Sequence, residues 1–334
     1  MVTLKDIAKE AGVSINTVSC ALRNSSRVSS QVKLKIKKIS DQMGYMPNAA
    51  ARTLRIKRSK VIGVIVTDIC NPVFAKMVKG IEAAIKQKNY SILIGNTDEQ
   101  YAMEEEAVTT MISKGVDGVI ITPTQQDTAS IELLKNVNIP VMLLGRRYKN
   151  YSTNYVVSDD FRGGYIAGEY LINKGHNNII FFNGPIHISS ALEREQGLIK
   201  ALAGYKLAPQ KIFHIMPNIH EGYRLMKELL ISPVDFTAVF CFDDYTAFGV
   251  IKAIKENGMR VPEDIAVIGY DNTEFAEMFD TGLTSVDFNE YRTGELAAEH
   301  IMDIIENSIS SNGSSDTVVR QIILEPFLVV RGSA

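Results

Sequence analysis

The stretch PNAAARTLRIKRSK, from Pro47 to Lys60, separates two parts of the chain that differ in charge and in hydrophobic pattern. Residues 1–60 hold 13 Lys and Arg against 3 Asp and Glu, which gives a net charge of +10. The rest of the chain holds the other 23 Lys and Arg and the other 35 Asp and Glu, which gives −12. A small cationic segment joined to an anionic one predicts that only the first binds a polyanion.

The overall composition bounds the class of protein. A chain of 334 residues is too long for one ordinary core and predicts two or three domains. Cys20, Cys70 and Cys241 lack CxxC or metal-ligand spacing, so we expect reduced thiols and neither a metal nor a cofactor. No apolar run is long enough to cross a membrane, and the N-terminus lacks an apolar export signal. We therefore expect a cytoplasmic protein without a membrane partner.

Residues 1–46 read as a small helical domain. Three hydroxyl residues each precede a predicted helix, namely Thr3 before about 4–11, Ser14 before about 15–22, and Ser30 before about 31–43. Gly12 supplies a tight turn between the first two helices. Two helices joined by a short glycine-containing turn in a basic segment are typical of a helix-turn-helix. A plain three-helix bundle with a solvated lysine face is the alternative interpretation.

Two longer segments carry a more specific signal. VTLKDIAKEAGVSINTVSCAL and VSSQVKLKIKKISDQMGYMPNAAARTL resemble the head of the LacI/GalR (lactose-repressor) family of bacterial transcription regulators. The resemblance implies that the second helix enters the major groove with Ile15, Asn16 and Cys20 at base-reading positions. Asn16 suits adenine, and Ile15 suits a thymine methyl group. Cys20 departs from the usual arginine of the family and cannot read guanine in its manner, so we expect an altered operator.

The resemblance implies further DNA contacts in the head and in the segment 47–60. Thr3 is a candidate DNA contact as well as an N-cap. Ser14 and Thr17 are candidate phosphate contacts or cap hydroxyls, although each could equally be only a helix-surface residue. Asn48 suits the N-cap of a short hinge helix over about 49–54, which is too short to be stable alone in water. In the family a leucine of this helix is inserted into the minor groove, and that position is Leu54. Flanking phosphate contacts are expected from Arg52 and Arg55. A solvated basic linker is the alternative.

From residue 61 onward, apolar runs alternate with helical patterns. About ten strands, ending with one over about 320–330, alternate with helices, which predicts parallel sheets covered on both faces. Their number favours two similar lobes, and their order resembles the type I periplasmic-binding-protein fold. We therefore predict an all-α head, a hinge helix and an α/β two-lobe body. The predicted boundaries are 1–46, 47–60 and 61–334, with an N-lobe at about 61–160 and 290–320 and a C-lobe at about 161–289 and 321–330.

Polar side chains at predicted strand ends indicate a ligand site, because ligands of such sheets bind outside the carboxyl ends of the strands. The candidate effector-binding residues, several of them at family pocket positions, are Asp68, Phe74, Arg146, Asp160, Arg194, Asp243 and Asp271. Carboxylates, an arginine and an aromatic ring favour a sugar or another polyol. A sugar phosphate stays open because Arg146 and Arg147 could supply spare positive charge. A purine is less expected: the chain resembles the family's purine repressor, but Ile188 stands where that protein has an effector-binding arginine.

The sequence lacks the motifs of nucleotide-binding proteins and of common hydrolases. GxGxxG, GxxxxGK[ST], HExxH and GxSxG do not occur, so we expect no enzyme, and an exported solute receptor would need a signal peptide. We therefore predict a regulator of transcription, a repressor released from a palindromic operator by a carbohydrate. The alternative is a corepressor, a ligand that would strengthen operator binding instead of weakening it. No leucine-heptad helix follows the last strand, so we expect a homodimer rather than a tetramer.

Overall fold

The computed structural model describes residues 2–45, 58–232, 235–278, 280–310 and 319–334. Its contacts divide the chain into two compact units, Met1–Ser59 and Lys60–Ala334. We call the first unit the head and the second the body. The predicted hinge helix over about 49–54 lies outside the described residues. None of the described helices is long and apolar enough to cross a membrane.

The head consists of three helices around a small core. They are α1 (Leu4–Ala11), α2 (Ile15–Leu22) and α3 (Ser30–Gln42). One fully buried aliphatic side chain from each helix meets at the centre, namely Ile7, Val18 and Ile36. Gly12 ends α1 at φ +67°, a left-handed conformation that glycine adopts without steric cost. The predicted helix-turn-helix is confirmed.

One cap in the head differs from the prediction. The N-cap of α3 is Ser29, which is extended and whose hydroxyl accepts from the Val32 amide, and Ser30 is the first helical residue. Two consecutive serines offer the same capping chemistry, so the sequence alone does not choose between them. The choice moves the start of the helix by one residue and leaves its buried face unchanged.

The body alternates strands and helices, except that β5 follows β4 and β12 follows β11 without a helix between them. Its strands are β1 (Val61–Val66), β2 (Ser91–Asn96), β3 (Gly118–Ile121), β4 (Val141–Leu144), β5 (Asn154–Ser158), β6 (Ile179–Asn183), β7 (Lys211–His214), β8 (Ala238–Cys241), β9 (Ala266–Tyr270), β10 (Thr284–Asp287), β11 (Gln321–Leu324) and β12 (Phe327–Val329). Its helices are α4 (Pro72–Lys86), α5 (Tyr101–Lys114), α6 (Ala129–Asn136), α7 (Asp160–Asn173), α8 (Ser189–Gly204), α9 (Ile219–Leu229), α10 (Asp244–Glu256), α11 (Glu274–Met278) and α12 (Glu290–Ser310).

The strands form two six-stranded sheets, one in each lobe. The order in the N-lobe is β11-β5-β4-β3-β1-β2, with every pair parallel. The order in the C-lobe is β12-β10-β9-β8-β6-β7, in which only β12 runs antiparallel to its neighbour. The central strands are buried along their length, as expected for sheets covered by helices on both faces. The predicted two-lobe α/β body is confirmed.

The end of the chain corrects the predicted lobe boundaries. The single strand predicted over about 320–330 is two strands, separated by Glu325 and Pro326. Because β11 pairs with β5, residues 321–324 belong to the N-lobe, and their assignment to the C-lobe was wrong. The prediction also missed β5 itself. The chain thus crosses between the lobes a last time between Leu324 and Phe327, where Pro326 has no amide to continue a ladder.

Helices α7 and α8 pack with their backbones in close approach, through glycine. A Cβ atom on Gly164 of α7 would overlap the carbonyl group of Arg194, and one on Gly197 of α8 would overlap that of Phe161. Only glycine therefore fits at either position. This close packing holds the start of α7 and the second turn of α8 together, and those two segments carry Asp160 and Arg194.

Candidate functional site

The polar residues predicted to contact DNA from the head cap its helices. The Ser14 hydroxyl accepts from the Thr17 amide at 3.0 Å and shares a hydrogen bond of 2.9 Å with the Thr17 hydroxyl. Thr3 forms a capping box with Asp6 at the start of α1. At the beginning of α2, Ile15 and Asn16 are both exposed, so their side chains are free to meet a partner.

Cys20, which the resemblance puts at a base-reading position, is largely buried. Only 8% of its surface is exposed, and its Sγ lies 3.9 Å from Asn16 Oδ1 and 3.7 Å from Arg23 Nη2. Arg23 also donates through Nε to the Ser19 carbonyl oxygen at 2.9 Å, which holds its guanidinium against α2. The sequence reasoning did not single out Arg23. Its spacing of three from Cys20 is the signal that would have found it.

The remaining predicted DNA contacts cannot be placed. Asn48, Arg52, Leu54 and Arg55 lie outside the described residues.

A cavity of about 70 Å³ lies between the lobes of the body. Six of the predicted effector residues line it, namely Phe74, Arg146, Asp160, Arg194, Asp243 and Asp271. Asp160, Asp243 and Asp271 each follow the carboxyl end of a parallel strand, which is why residues far apart in sequence meet here. The seventh, Asp68, does not line the cavity, and its carboxylate accepts from the Cys70 amide in a local turn.

Other residues of the cavity wall were not predicted. They include Asn71, Met77, Ser158, Ser190, Phe242 and Phe288. Asn71 is the N-cap of the helix that carries Phe74, so its position was a usable signal. The apolar members of the wall gave no such signal, because an apolar residue near a strand end is more often part of the core.

Arg194 is the central cation of the cavity. Its Nε donates to Asp160 Oδ1 at 2.8 Å and its Nη1 to the Phe242 carbonyl oxygen at 2.5 Å. The guanidinium also covers the Tyr270 ring, 3.4 Å from the centroid. Burial opposes its charge, but the charges of Asp160, Tyr270 and Asp271 hold the pKa of Arg194 above its ordinary value.

The two other arginines near the cavity are paired. Arg146 donates to both oxygens of Glu99, at 2.6 and 2.8 Å, and to the Pro123 carbonyl oxygen at 3.0 Å. Burial opposes the charge of Glu99, but the hydrogen bonds and charge of Arg146 hold the pKa of Glu99 below its ordinary value. Arg147 lines a different cavity and pairs with Glu193 at 3.0 Å. The positive charge that sequence reasoning took as spare is therefore already compensated.

The C-lobe side of the cavity is acidic. Asp243 caps α10 by accepting from the Thr246 amide at 2.8 Å, and Asp271 follows β9 with φ at +100°. Burial raises the pKa of both carboxyl groups. Behind them Asp244, which was not predicted, accepts from the Ser285 hydroxyl at 2.6 Å and the Thr273 amide at 2.7 Å. Burial raises the pKa of Asp244 to about 7.

Three contacts join the lobes beside the cavity. Gln125 Oε1 accepts from the Ser189 amide at 2.8 Å, and the Arg147 amide donates to the Ser189 hydroxyl at 3.1 Å. The third contact is the ion pair between Arg147 and Glu193. These groups border a second, wider opening of about 640 Å³ between the lobes. Polar contacts thus join the two lobes at the edge of their interface.

Among the described residues, no group of three or more His, Cys, Asp or Glu side chains is placed to hold a metal ion. The cavity wall offers hydrogen-bond donors, acceptors and aromatic rings, which are the groups of a binding site for a polar organic molecule.

A basic helix-turn-helix head followed by a two-lobe body with a polar cavity between its lobes defines a ligand-responsive regulator of transcription. The chain belongs to the LacI family. The model of "Bacterial regulatory proteins, lacI family" matches residues 3–48, and that of "Periplasmic binding proteins and sugar binding domain of LacI family" matches residues 59–325. The resemblance inferred from the sequence is thereby confirmed, and so is the prediction that the chain is a regulator and not an enzyme.

Individual relatives cover the whole chain. The HTH-type transcriptional repressor PurR of Pasteurella multocida is 33% identical over 100% of this chain and 98% of its own. Among solved structures, the lac repressor dimer bound to operator and the anti-inducer ONPF is 26% identical, with a TM-score of 0.88 over 99% of this chain and 98% of its own. The transcriptional regulator CelR in complex with cellobiose is 26% identical, with a TM-score of 0.75 over 100% of both chains.

Proposed function

We propose that the protein is a homodimeric, cytoplasmic repressor that binds a palindromic operator and is released from it by a small carbohydrate held between the lobes. The twofold symmetry of a homodimer requires a palindromic site. The lac repressor relative is itself described as a dimer bound to operator. The helix that carries Phe74 is expected to contribute to the dimer interface.

The observation that carries the proposal is the composition of the inter-lobe cavity. The N-lobe supplies Phe74 and Arg146, and the C-lobe supplies Arg194, Asp243 and Asp271. Carboxylates and a guanidinium together satisfy the donors and acceptors of vicinal hydroxyls, and an aromatic ring covers the apolar face of a sugar. Similar proteins support this ligand class, since the CelR structure contains cellobiose and a LacI-family regulator of Enterococcus faecium contains ribose.

The cavity also suggests how a ligand acts. Because both lobes line it, a ligand binds one relation of the lobes more tightly than another and shifts their equilibrium. If DNA binding favours one relation of the lobes and the ligand favours another, the operator site and the cavity are coupled. By linkage, the ligand weakens DNA binding to the same degree that DNA weakens ligand binding. We propose that the hinge segment loses its DNA contacts when the ligand binds. These contacts are those of Leu54 in the minor groove and of Asn48, Arg52 and Arg55 beside it.

A phosphorylated sugar is disfavoured by the pairing of the arginines. Arg146 is compensated by Glu99 and Arg147 by Glu193, so neither offers an uncompensated charge to a phosphate. A phosphate placed in the cavity would instead meet Asp243 and Asp271, and like charges in a buried site are repulsive. We therefore favour an effector without a phosphate group.

The proposal is tested by selecting operator DNA from a random pool with the purified full-length protein. We expect a palindrome whose binding weakens in the presence of one sugar from a panel of sugars and sugar phosphates. A palindrome bound more tightly with a ligand would make the ligand a corepressor, and no enriched DNA would refute the operator function. Leu54→Ala should weaken operator binding and leave ligand affinity unchanged. The exposed Leu34 of α3 provides the matched control, Leu34→Ala.

A further inference from the structure

Arg23 stands at the end of α2, and its side chain is folded back along the helix. It is the C-cap residue of α2, and its Nε donates to the Ser19 carbonyl oxygen at 2.9 Å. Its Nη2 lies 3.7 Å from the Cys20 sulfur. These two contacts are with residues four and three positions earlier, so the side chain runs back over the last turn of α2. The guanidinium group therefore lies beside position 20 of the helix.

Asn16, Cys20 and Arg23 form one row of side chains along α2. They are separated by four and three positions, which places them on the same face of a helix. The Cys20 sulfur lies 3.9 Å from Asn16 Oδ1 and 3.7 Å from Arg23 Nη2, so the thiol connects the other two polar groups. Cys20 is only 8% exposed, whereas Asn16 and Arg23 are both exposed. In this part of the row Arg23, and not Cys20, presents a polar group to a partner.

The helix itself carries no basic residue. From Ile15 to Leu22 its sequence is INTVSCAL, which contains neither Lys nor Arg. A basic side chain is the group that most often recognises guanine in the major groove, through the O6 and N7 acceptors of the base. Asn16 suits adenine and Ile15 suits a thymine methyl group, so neither of them accounts for a guanine. Arg23, directly after the last helical residue, supplies a cation to this face of α2.

The guanidinium group of Arg23 keeps donors for a further partner. Its Nη1 donates to no residue that the structure describes, and no Asp or Glu of the described head pairs with it. Two lysines of α3 differ in this respect, because Lys33 and Lys35 donate to the backbone carbonyl oxygens of Asn24 and Ala11. The bond from Arg23 Nε to Ser19 holds the planar group in place, so less conformational entropy is lost when it binds. Such a group suits a pair of acceptors in one plane, as on the edge of guanine.

We propose that Arg23 reads one guanine in each operator half-site, in place of the arginine that position 20 lacks. This inference rests on the operator function proposed above, because it names the residue that selects one base of the operator. Two other roles are to be distinguished from it. Arg23 could serve only as a helix cap, since a cation beside the last carbonyl groups of a helix is stabilising. It could also contact only a phosphate, which would position the protein but carry no sequence information.

Selection of DNA from a random pool with the full-length protein tests the inference. The unaltered protein should select a guanine at one position of each half-site that Arg23→Gln does not. The glutamine amide pairs with N6 and N7 of adenine, so the variant should select adenine there and retain the rest of the motif. On the original operator it should bind about tenfold or more weakly. The matched control is Arg27→Gln, which removes the same charge from an exposed position outside α2 and should leave the motif unchanged.

A modified base tests the same contact without altering the protein. 7-Deazaguanine lacks the N7 acceptor but still pairs with cytosine. At the guanine that Arg23 reads, it should weaken binding of the unaltered protein by about fivefold or more. It should leave binding of Arg23→Gln unchanged, and 7-deazaguanine in the flanking DNA provides the control. Circular dichroism and thermal unfolding of Arg23→Gln measure the loss of a helix cap separately.

The outcomes separate this inference from the operator function. If Arg23→Gln selects the original motif, with or without a uniform loss of affinity, Arg23 is a phosphate contact or a helix cap and the inference is overturned. Unchanged binding of the unaltered protein to 7-deazaguanine at every guanine of the half-site would also overturn it, and this result decides alone if Arg23→Gln does not fold. In both cases the operator function stands. If the unaltered protein enriches no DNA, the operator function and the inference fail together.

Discussion

Arg147 of the N-lobe and Glu193 of the C-lobe form an ion pair of 3.0 Å at the edge of the inter-lobe interface. Both side chains are partly exposed, and the Tyr155 hydroxyl accepts a further hydrogen bond from Arg147 at 3.2 Å. The pair is therefore a direct polar contact between the two lobes. Because the pair lies beside the cavity, substitutions of Arg147 or Glu193 test how much this contact stabilises the arrangement of the two lobes.

Replacing one partner of this pair should loosen the lobes. Arg147→Gln and Glu193→Gln are each expected to lower the free energy of unfolding of the body by about 0.5–1 kcal/mol, since the pair is partly solvated. The double variant should cost less than the sum of the two, which a double-mutant cycle in urea measures. Additive effects would show that the pair contributes nothing. The surface pair of Arg260 and Asp264 serves as the control.

Glycine substitutions test whether the close packing of α7 against α8 stabilises the body. Gly164→Ala should destabilise the body by about 1–3 kcal/mol or more, because the added methyl group overlaps the Arg194 backbone. It should also weaken ligand binding by displacing Arg194. Thermal unfolding and calorimetry measure the two effects. Gly204→Ala, near the end of α8 with no atom within 4 Å of the added carbon, should be neutral or slightly stabilising. Equal effects at both glycines would contradict this account.

Asp244 should make the stability of the protein depend on pH. Its pKa is raised from 3.8 to about 7, chiefly by burial and further by the charge of Asp243. The folded protein therefore retains a proton that the unfolded chain loses, so stability should fall as pH rises from about 4 to about 7. The contribution is at most about 1.4 kcal/mol per pH unit. Asp244→Asn should remove it, as measured by denaturation between pH 4.5 and 8. An unchanged pH slope would show that Asp244 is ionised throughout.

The recognition helix offers a test of base preference. Cys20→Arg should shift the preferred base at one position of each half-site toward guanine, since arginine binds its O6 and N7 atoms. The new side chain must compete with Arg23, whose Nη2 now lies 3.7 Å from the Cys20 sulfur. Selection of DNA from a random pool measures the shift. Cys20→Ser, which keeps the size of the side chain, should leave the selected motif unchanged; an identical motif from Cys20→Arg would exclude this position from base reading.

The predictions that held were those that depend on local pattern. The alternation of strands and helices predicted the two-lobe fold. Six of the predicted effector residues line the inter-lobe cavity, and their role in binding a ligand stays a prediction. The prediction failed at β5, whose sequence NYVVS follows a polar loop and has no helical pattern separating it from β4. It also failed at β11, whose sheet is decided by pairing with β5 and not by its own residues.

Which charged side chains of the body form ion pairs with each other could not be predicted from the sequence. Arg146 looked available to a ligand because its partner, Glu99, lies 47 positions earlier in the chain. The inter-lobe hydrogen bond of Gln125 joins residues 64 positions apart, and the pairing of Arg147 with Glu193 joins residues 46 apart. Such pairs are created by tertiary packing, which periodicity and spacing do not encode. The electrostatic interaction of Asp271 with Arg194 is likewise a property of their positions in space.

The last crossing of the chain between the lobes, from β11 to β12, affects how the body folds during synthesis. One edge strand of each sheet, β11 and β12, comes from the last residues of the chain, and α12 packs on α4 and on β3, β4 and β5 just before them. Neither lobe can therefore complete its sheet during translation until residues 321–329 have left the ribosome. We expect nascent chains that lack these residues to be susceptible to proteases, and the lobes to acquire protection together rather than in order of synthesis.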